Sequence, residues 1–213
     1  MPRTRVIEDA TVLDRAISVF WRRGYAATSM RELTVATGLS TAALYHRFSD
    51  KEGLFLESLR RYADQGLTTR FARLSALASP LSAIRTFFDE LVDMSTDEHD
   101  RLGCLLVNTV LDGAAISPAA SALVSQRMSE VQAFFESRLR VARNAGLIAA
   151  AIKPAVMAEL LLGTVLAIRV LARLDPDRKR LCRLVDQALM PLAVKKGGRP
   201  QIDRNRRLSM PAK

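Results

Sequence analysis

The sequence predicts an all-α protein, with an N-terminal three-helix helix-turn-helix unit followed by a larger helical body, about nine helices in all. Three observations carry that expectation. Apolar residues recur at intervals of three and four along most of the chain. A capping residue followed by proline recurs at Ser79-Pro80, Ser117-Pro118 and Asp175-Pro176. Proline suits the first helical position because the amide there has no intrahelical partner anyway. Strand-like alternation of apolar and polar residues is missing throughout.

In the first helix Ile7, Ala10, Leu13, Ile17 and Phe20 share one face, and Gly24 supplies the stop. Thr28 and Ser29 offer caps for a short second helix, with Ser29 and Glu32 spaced as a capping box. Leu33 and Ala36 form its inner face, and Gly38 ends it. Ser40 caps a third helix over Thr41 to Phe48. Ser49 and Glu52 are spaced as another capping box and open a long fourth helix towards Leu74. Pro80 opens the fifth, and a shorter sixth runs from Arg101 to Leu111 after the polar loop Ser95 to Asp100. Pro118 opens the seventh, which Gly146 closes. Lys153-Pro154 opens the eighth, apolar nearly all round over residues 155–174, and the ninth covers Arg178 to Met190. Residues 195–213 are rich in Lys, Arg, Gly and Pro without apolar period, which predicts a disordered basic tail.

The net charge of +10 points to a polyanionic partner, although the tail carries most of the excess. Cys104 and Cys182 are too few for a disulfide framework in a chain of 213 residues, so a reducing, cytoplasmic setting is expected. No signal-peptide layout is present. The apolar run Ala155 to Leu174 is interrupted by Glu159, Arg169 and Arg173, which suits a buried helix better than a membrane anchor. His46 and His99 are the only histidines, so triad chemistry has little to draw on, and neither an enzyme nor a cofactor is expected. Asp97-Glu98-His99-Asp100 offers oxygen and nitrogen donors, but adjacent residues rarely converge on one ion, and no metal is expected.

Two short helices joined by Gly38-Leu39-Ser40 after a longer one match the helix-turn-helix arrangement. Leu44 and Phe48 should dock against Leu33 and Phe20, leaving Ala42, Tyr45 and His46 on the outer face. Small side chains at the helix start let it enter a major groove without collision. Ala42 can touch a thymine methyl, and the Thr41 hydroxyl can bond a base or a phosphate. Tyr45, His46 and Lys51 lie where phosphates would run, and Thr28, Arg31 and Ser40 complete the expected DNA-contact set. The pattern alone also allows a structural three-helix cluster without a ligand.

The stretch from Phe20 to Phe55, FWRRGYAATSMRELTVATGLSTAALYHRFSDKEGLF, resembles the N-terminal domain of the TetR (tetracycline-repressor-type) regulators. The likeness rests on Gly24-Tyr25, Thr28-Ser29, Ala36, Gly38, Leu39-Ser40, Leu44-Tyr45, Phe48 and Lys51-Glu52. Ala42 departs from it, since many relatives carry glycine there. Residues 63–194 resemble the family in helix count and length only.

The resemblance implies a DNA-binding domain over residues 1–50, a helical ligand-binding and dimerisation domain over 51–194, and the tail beyond. It further implies a repressor that reads a near-palindromic operator in double-stranded DNA and is released by a small-molecule effector. The all-round apolarity of residues 155–174 independently favours a homodimer through residues 154–192, where two chains complete a four-helix bundle. Phe71, Phe87, Phe88, Leu91, Cys104, Asn108 and Phe134 are the expected lining of an effector pocket, although aromatic residues at helical spacing also make plain core. Gly103 to Asn108 resembles a segment of a subgroup of these regulators in which a cysteine senses electrophiles. Cys104 then reads either as such a sensor or as a small buried hydrophobe. The alternative function is a DNA-binding regulator with no small-molecule effector. Arg3 and Arg5 offer a phosphate or minor-groove arm, and Gly198-Arg199-Pro200 resembles part of an AT-hook.

Overall fold

The computed structural model describes residues 7–97, 102–113 and 116–193, and among these all regular structure is helical. Arg3, Arg5, most of the Asp97 to Asp100 cluster and the basic tail lie outside the described residues.

Helix α1 (Asp9–Ala27) buries Val12, Ala16, Ile17 and Phe20; of the expected face Ile17 and Phe20 are buried, while Ile7, Ala10 and Leu13 are half-buried. Gly24 leaves the helical region at φ 74 and ψ 169, and a last turn follows it. A side chain at Gly24 would also stand 3.1 Å from Oδ2 of Asp112, so close approach and positive φ both call for glycine. Helix α2 (Met30–Thr37) starts with the Ser29–Glu32 capping box fully formed. Its C-terminal carbonyl at Thr37 accepts from Arg15 Nη1 at 3.0 Å, which ties it to α1. Helix α3 (Thr41–Phe48) is capped by Ser40, whose Oγ accepts from the Ala43 amide.

Helix α4 spans residues 51–75 in three stretches: α-helical Lys51–Ala63, a π-helical turn Asp64–Thr68, and α-helical Thr69–Ser75. Its cap differs from expectation. Ser49 turns the chain at φ 68, so the first extended residue with a carboxylate is Asp50, which accepts from the Gly53 amide at 2.7 Å. Helices α5 (Pro80–Thr96) and α7 (Pro118–Asn144) begin at the serine-proline signals, each serine accepting from an amide of the first turn. Helix α6 (Leu105–Leu111) starts later than Arg101, because Gly103 at φ 75 breaks the run. Helix α8 (Pro154–Leu174) has no side-chain cap. Helix α9 (Arg178–Leu189) is capped by Asp177, not Asp175; its carboxylate accepts from the Lys179 and Arg180 amides.

Two apolar cores result. The first joins Phe20, Leu33, Leu44 and Phe48 to Leu54, Phe55 and Leu59 of α4, and to Leu105 and Leu106 of α6. Its packing therefore runs without a break across residue 50, where the sequence placed a domain boundary. The second gathers α5, α7, α8 and α9 around Phe87, Phe88, Phe135 and Ile168. By length and composition α8 is apolar enough to cross a membrane. Here it packs on α5, α7 and α9, burying Leu161, Val165 and Ile168 while Val156 and Leu160 stay exposed.

Candidate DNA-contact face and ligand cavity

The α3 wheel places Leu44 and Phe48 in the first core and turns the opposite side to solvent. Ser40, Thr41, Ala42, Tyr45 and His46 are exposed on that side, and Arg31 is exposed on α2 beside it. Arg47 fastens the helix from behind: its Nη1 donates to the Ile7 carbonyl at 2.8 Å and to Asp9 Oδ1 at 3.0 Å. Two expected contacts sit differently. Thr28 is buried, and its hydroxyl donates to the Gly24 carbonyl at 2.7 Å, so it secures the bend after α1 rather than facing outward. Lys51 is half-buried, with Nζ 4.4 Å above the centre of the Tyr25 ring. Burial lowers the Lys51 pKa, and the nearby Glu32 carboxylate opposes that shift.

Where the two cores meet, a cavity of about 390 Å³ opens among α1, α4, α5, α6, α7 and α8. Phe87, Leu91 and Cys104 line it as the sequence suggests. Phe71, Phe88, Phe134 and Asn108 do not. Phe71 stacks on Phe134 at 4.8 Å and Phe88 on Phe135 at 5.5 Å, so these rings fill one another's space as core. Asn108 is a strut: its Nδ2 donates to the Leu102 carbonyl at 2.7 Å, and its Oδ1 accepts from Arg173 at 2.8 Å. It lines a smaller polar cavity of about 140 Å³ next to Gly24, Tyr25 and Asp112.

The residues that sequence reasoning missed are the polar ones of the wall: Trp21, Tyr62, Arg70 and Arg169. Arg169 had a legible signal, a cation inside the most apolar run of the chain. Arg70 Nε pairs with Glu90 Oε2 at 2.9 Å, and its guanidinium carbon lies 4.1 Å from the centre of the Phe87 ring. Burial pulls the Arg70 pKa down to about 10; the Glu90 carboxylate opposes this and the Arg169 charge adds to it. Arg169 is 9% exposed and donates to Ser95 Oγ at 3.3 Å. The Tyr62 phenol is pushed well above its usual pKa, first by burial and then by the Cys104 thiol against it. The indole N–H of Trp21 is buried with no acceptor among the described residues.

A family model described as bacterial regulatory proteins of the tetR family matches residues 12–58. A second, described as the tetracyclin repressor-like C-terminal domain, matches residues 80–188. The chain belongs to the tetR family. This tetR-family chain is 28% identical over 193 residues to the uncharacterized HTH-type transcriptional regulator YezE of Bacillus subtilis (strain 168), covering 90% of itself and 100% of YezE. It is 35% identical over 107 residues to the HTH-type transcriptional repressor ComR of Escherichia coli (strain K12), a match to 50% of this chain and 51% of ComR. Against ComR it therefore spans about half the relative's length. Among solved structures, a cysteine variant of the TetR family transcriptional regulator CifR, complexed with 26bp double-strand operator DNA, superposes with a TM-score of 0.76. Identity to it is 30%, over 88% of this chain and 98% of that one. The chain is thus a DNA-binding transcriptional regulator with a helix-turn-helix.

Proposed function

We propose that this regulator is a repressor that binds a near-palindromic operator as a homodimer and lets go when a small molecule enters the cavity. The observation that carries the reading is the cavity's position on the seam between the core that holds α3 and the core that holds α8 and α9. Helix α6 spans that seam. Cys104, Leu106 and Val107 wall the cavity at its start, and Asp112 lies against Gly24 of α1 at its end. A ligand that moves α6 therefore acts on the base of the DNA-contact face. A coupling of about 1–3 kcal/mol, roughly 5- to 150-fold in DNA affinity, is typical of such links.

Dimerisation through residues 154–192 is supported by Val156, Leu160, Leu174 and Met190, apolar side chains that one chain leaves exposed on α8 and just beyond α9. Residues 1–50 then supply DNA contacts, 51–194 sensing and dimerisation, and 195–213 salt-sensitive affinity for any duplex. The working compartment is the cytoplasm, and no catalytic step is assigned.

Anisotropy titrations of the full chain against its upstream DNA and random duplexes test this. Tyr45→Ala should weaken binding to both, whereas Thr41→Ala should shift base preference by about 1–3 kcal/mol. Equal affinity for both duplexes at several salt concentrations sinks the operator-reading proposal. A second reading is favoured by the place of Cys104, a cavity wall thiol against Tyr62: the effector is an electrophile that alkylates it. Cys104→Ser should then bind DNA but ignore the electrophile, with Cys182→Ser as control.

A further inference from the structure

We propose that the cavity takes a neutral, largely apolar small molecule of about a dozen non-hydrogen atoms and turns away ligands that carry a charge. The inference rests on the cavity being the effector site and deepens that reading by giving the ligand a chemical class.

The charged groups of the wall already have partners within the fold. Arg70 donates from Nε to Glu90 Oε2 at 2.9 Å and from Nη2 to the Phe87 carbonyl. Arg169 is engaged as well, with Ser95 Oγ among its partners. Asp14, the carboxylate of the wall, accepts from Arg61 through two hydrogen bonds of 2.7 Å and from Gln65 at 3.3 Å. The Tyr62 phenol is held by the Leu105 amide and the Cys104 thiol. A carboxylate could bond a guanidinium only by displacing one of these partners, and an ammonium would face two buried cations. Either ion would also shed its hydration on entry. A neutral ligand meets neither cost.

Most of the remaining wall is hydrocarbon, ring and thioether, with Phe87, Leu91, Val131 and Val165 set beside Met94 and Met128. Thioethers adapt their shape and pack well on rings, so the wall suits a ring as readily as a chain. Among the lining residues only Asp14, Gln65 and Gly66 are exposed, so the cavity reaches solvent between α1 and the π turn of α4. A volume of about 390 Å³ has room for about a dozen water-sized groups at roughly 30 Å³ each, which sets the size of the ligand. Burying an apolar body against such walls supplies the driving force.

Trp21 is the single tryptophan of the chain and lines the cavity, so its emission reports on ligand entry. The full-length protein is titrated with 2-decanone, decanoate and decylammonium, following Trp21 emission and operator affinity in parallel. The ketone should shift the emission saturably, with both ions about 10- to 100-fold weaker, as the cost of an unpaired buried charge implies. Val165→Phe and Val131→Phe fill the cavity from α8 and α7, and each should weaken the ketone by about 10-fold or more. If one of them fails to fold, the other decides. Glu90→Gln takes the carboxylate partner from Arg70 and should narrow the gap, with decanoate gaining on the ketone.

Decanoate or decylammonium binding the parent as tightly as the ketone overturns the proposal. So does ketone affinity unchanged in both phenylalanine variants, a decanoate-to-ketone ratio unmoved by Glu90→Gln, or emission that answers to no probe. Ketone bound with operator affinity unchanged would keep the ligand class and sink the effector reading. Release of the operator by decanoate alone would do the reverse.

Discussion

The outer face of α3 and the cavity at the core seam handle polar groups in opposite ways. Thr41, Tyr45 and His46 stand in water, so displaying them costs the fold almost nothing. Arg70 and Arg169 are both buried in the cavity wall, and the fold must hold them out of water with partners of its own, Glu90 for Arg70 and Ser95 among those of Arg169. A contact face on a solvated helix can change its side chains with little effect on stability. A buried polar wall cannot be changed without altering the packing around it. The seam is therefore where stability and ligand response should be entangled, and the face is where they should separate.

The sharpest way to break that distinction is at Phe55, which is 2% exposed and packs against Phe20 and Tyr25 at 4.9 and 4.8 Å. Phe55→Ala should cost about 3–5 kcal/mol in denaturant unfolding and abolish DNA binding as a consequence. Retained stability there would mean the first core does not hold the contact face. Ser40→Ala removes the α3 cap and should cost about 1 kcal/mol, with Ser40→Gly costing less. A loss of operator affinity far beyond that stability change would show the hydroxyl also meets DNA. The smallest effect is expected of the double change Arg70→Met with Glu90→Met, within about 1 kcal/mol of the parent, because a whole ion pair replaced by apolar side chains of similar size is often neutral or stabilising. A loss of several kcal/mol would place the Arg70–Glu90 pair among the structural supports of the wall.

The exposed face of α3 was legible in the sequence because its determinants are local. Ser29 and Glu32 cap one turn, Ser40 the next helix, and Leu44 with Phe48 fixes the wheel, all within a few residues of one another. Thr28 misled because a hydroxyl near a helix start reads as a cap, whereas here it turns back to Gly24. Ser49 misled for a related reason, since spacing cannot show that the residue itself makes the left-handed turn. The cavity was only half legible. Phe87, Leu91 and Cys104 face it, but Phe71, Phe88 and Phe134 pair with other rings, and helical period alone cannot say which apolar face meets a void. Trp21 and Tyr62 reach the wall from α1 and α4 because the long-range packing of those two helices brings their rings within 5.2 Å.

A π turn holds one residue more than an α turn, so Asp64–Thr68 amounts to a single inserted residue absorbed inside α4. One residue is worth about 100° of rotation, and the stretches before and after it are out of phase by that angle relative to an unbroken helix. Tyr62 and Ala63 on one side of the turn, and Leu67 and Arg70 on the other, border the same cavity. Any comparison of relatives that treats residues 51–75 as one continuous period will therefore misalign half of the helix. Removing Gly66, where a side chain would meet nothing within 4 Å, is the natural reversal of the insertion. The helix would regain its ordinary pitch, and the residues on either side, Arg70 among them, would keep their present facing.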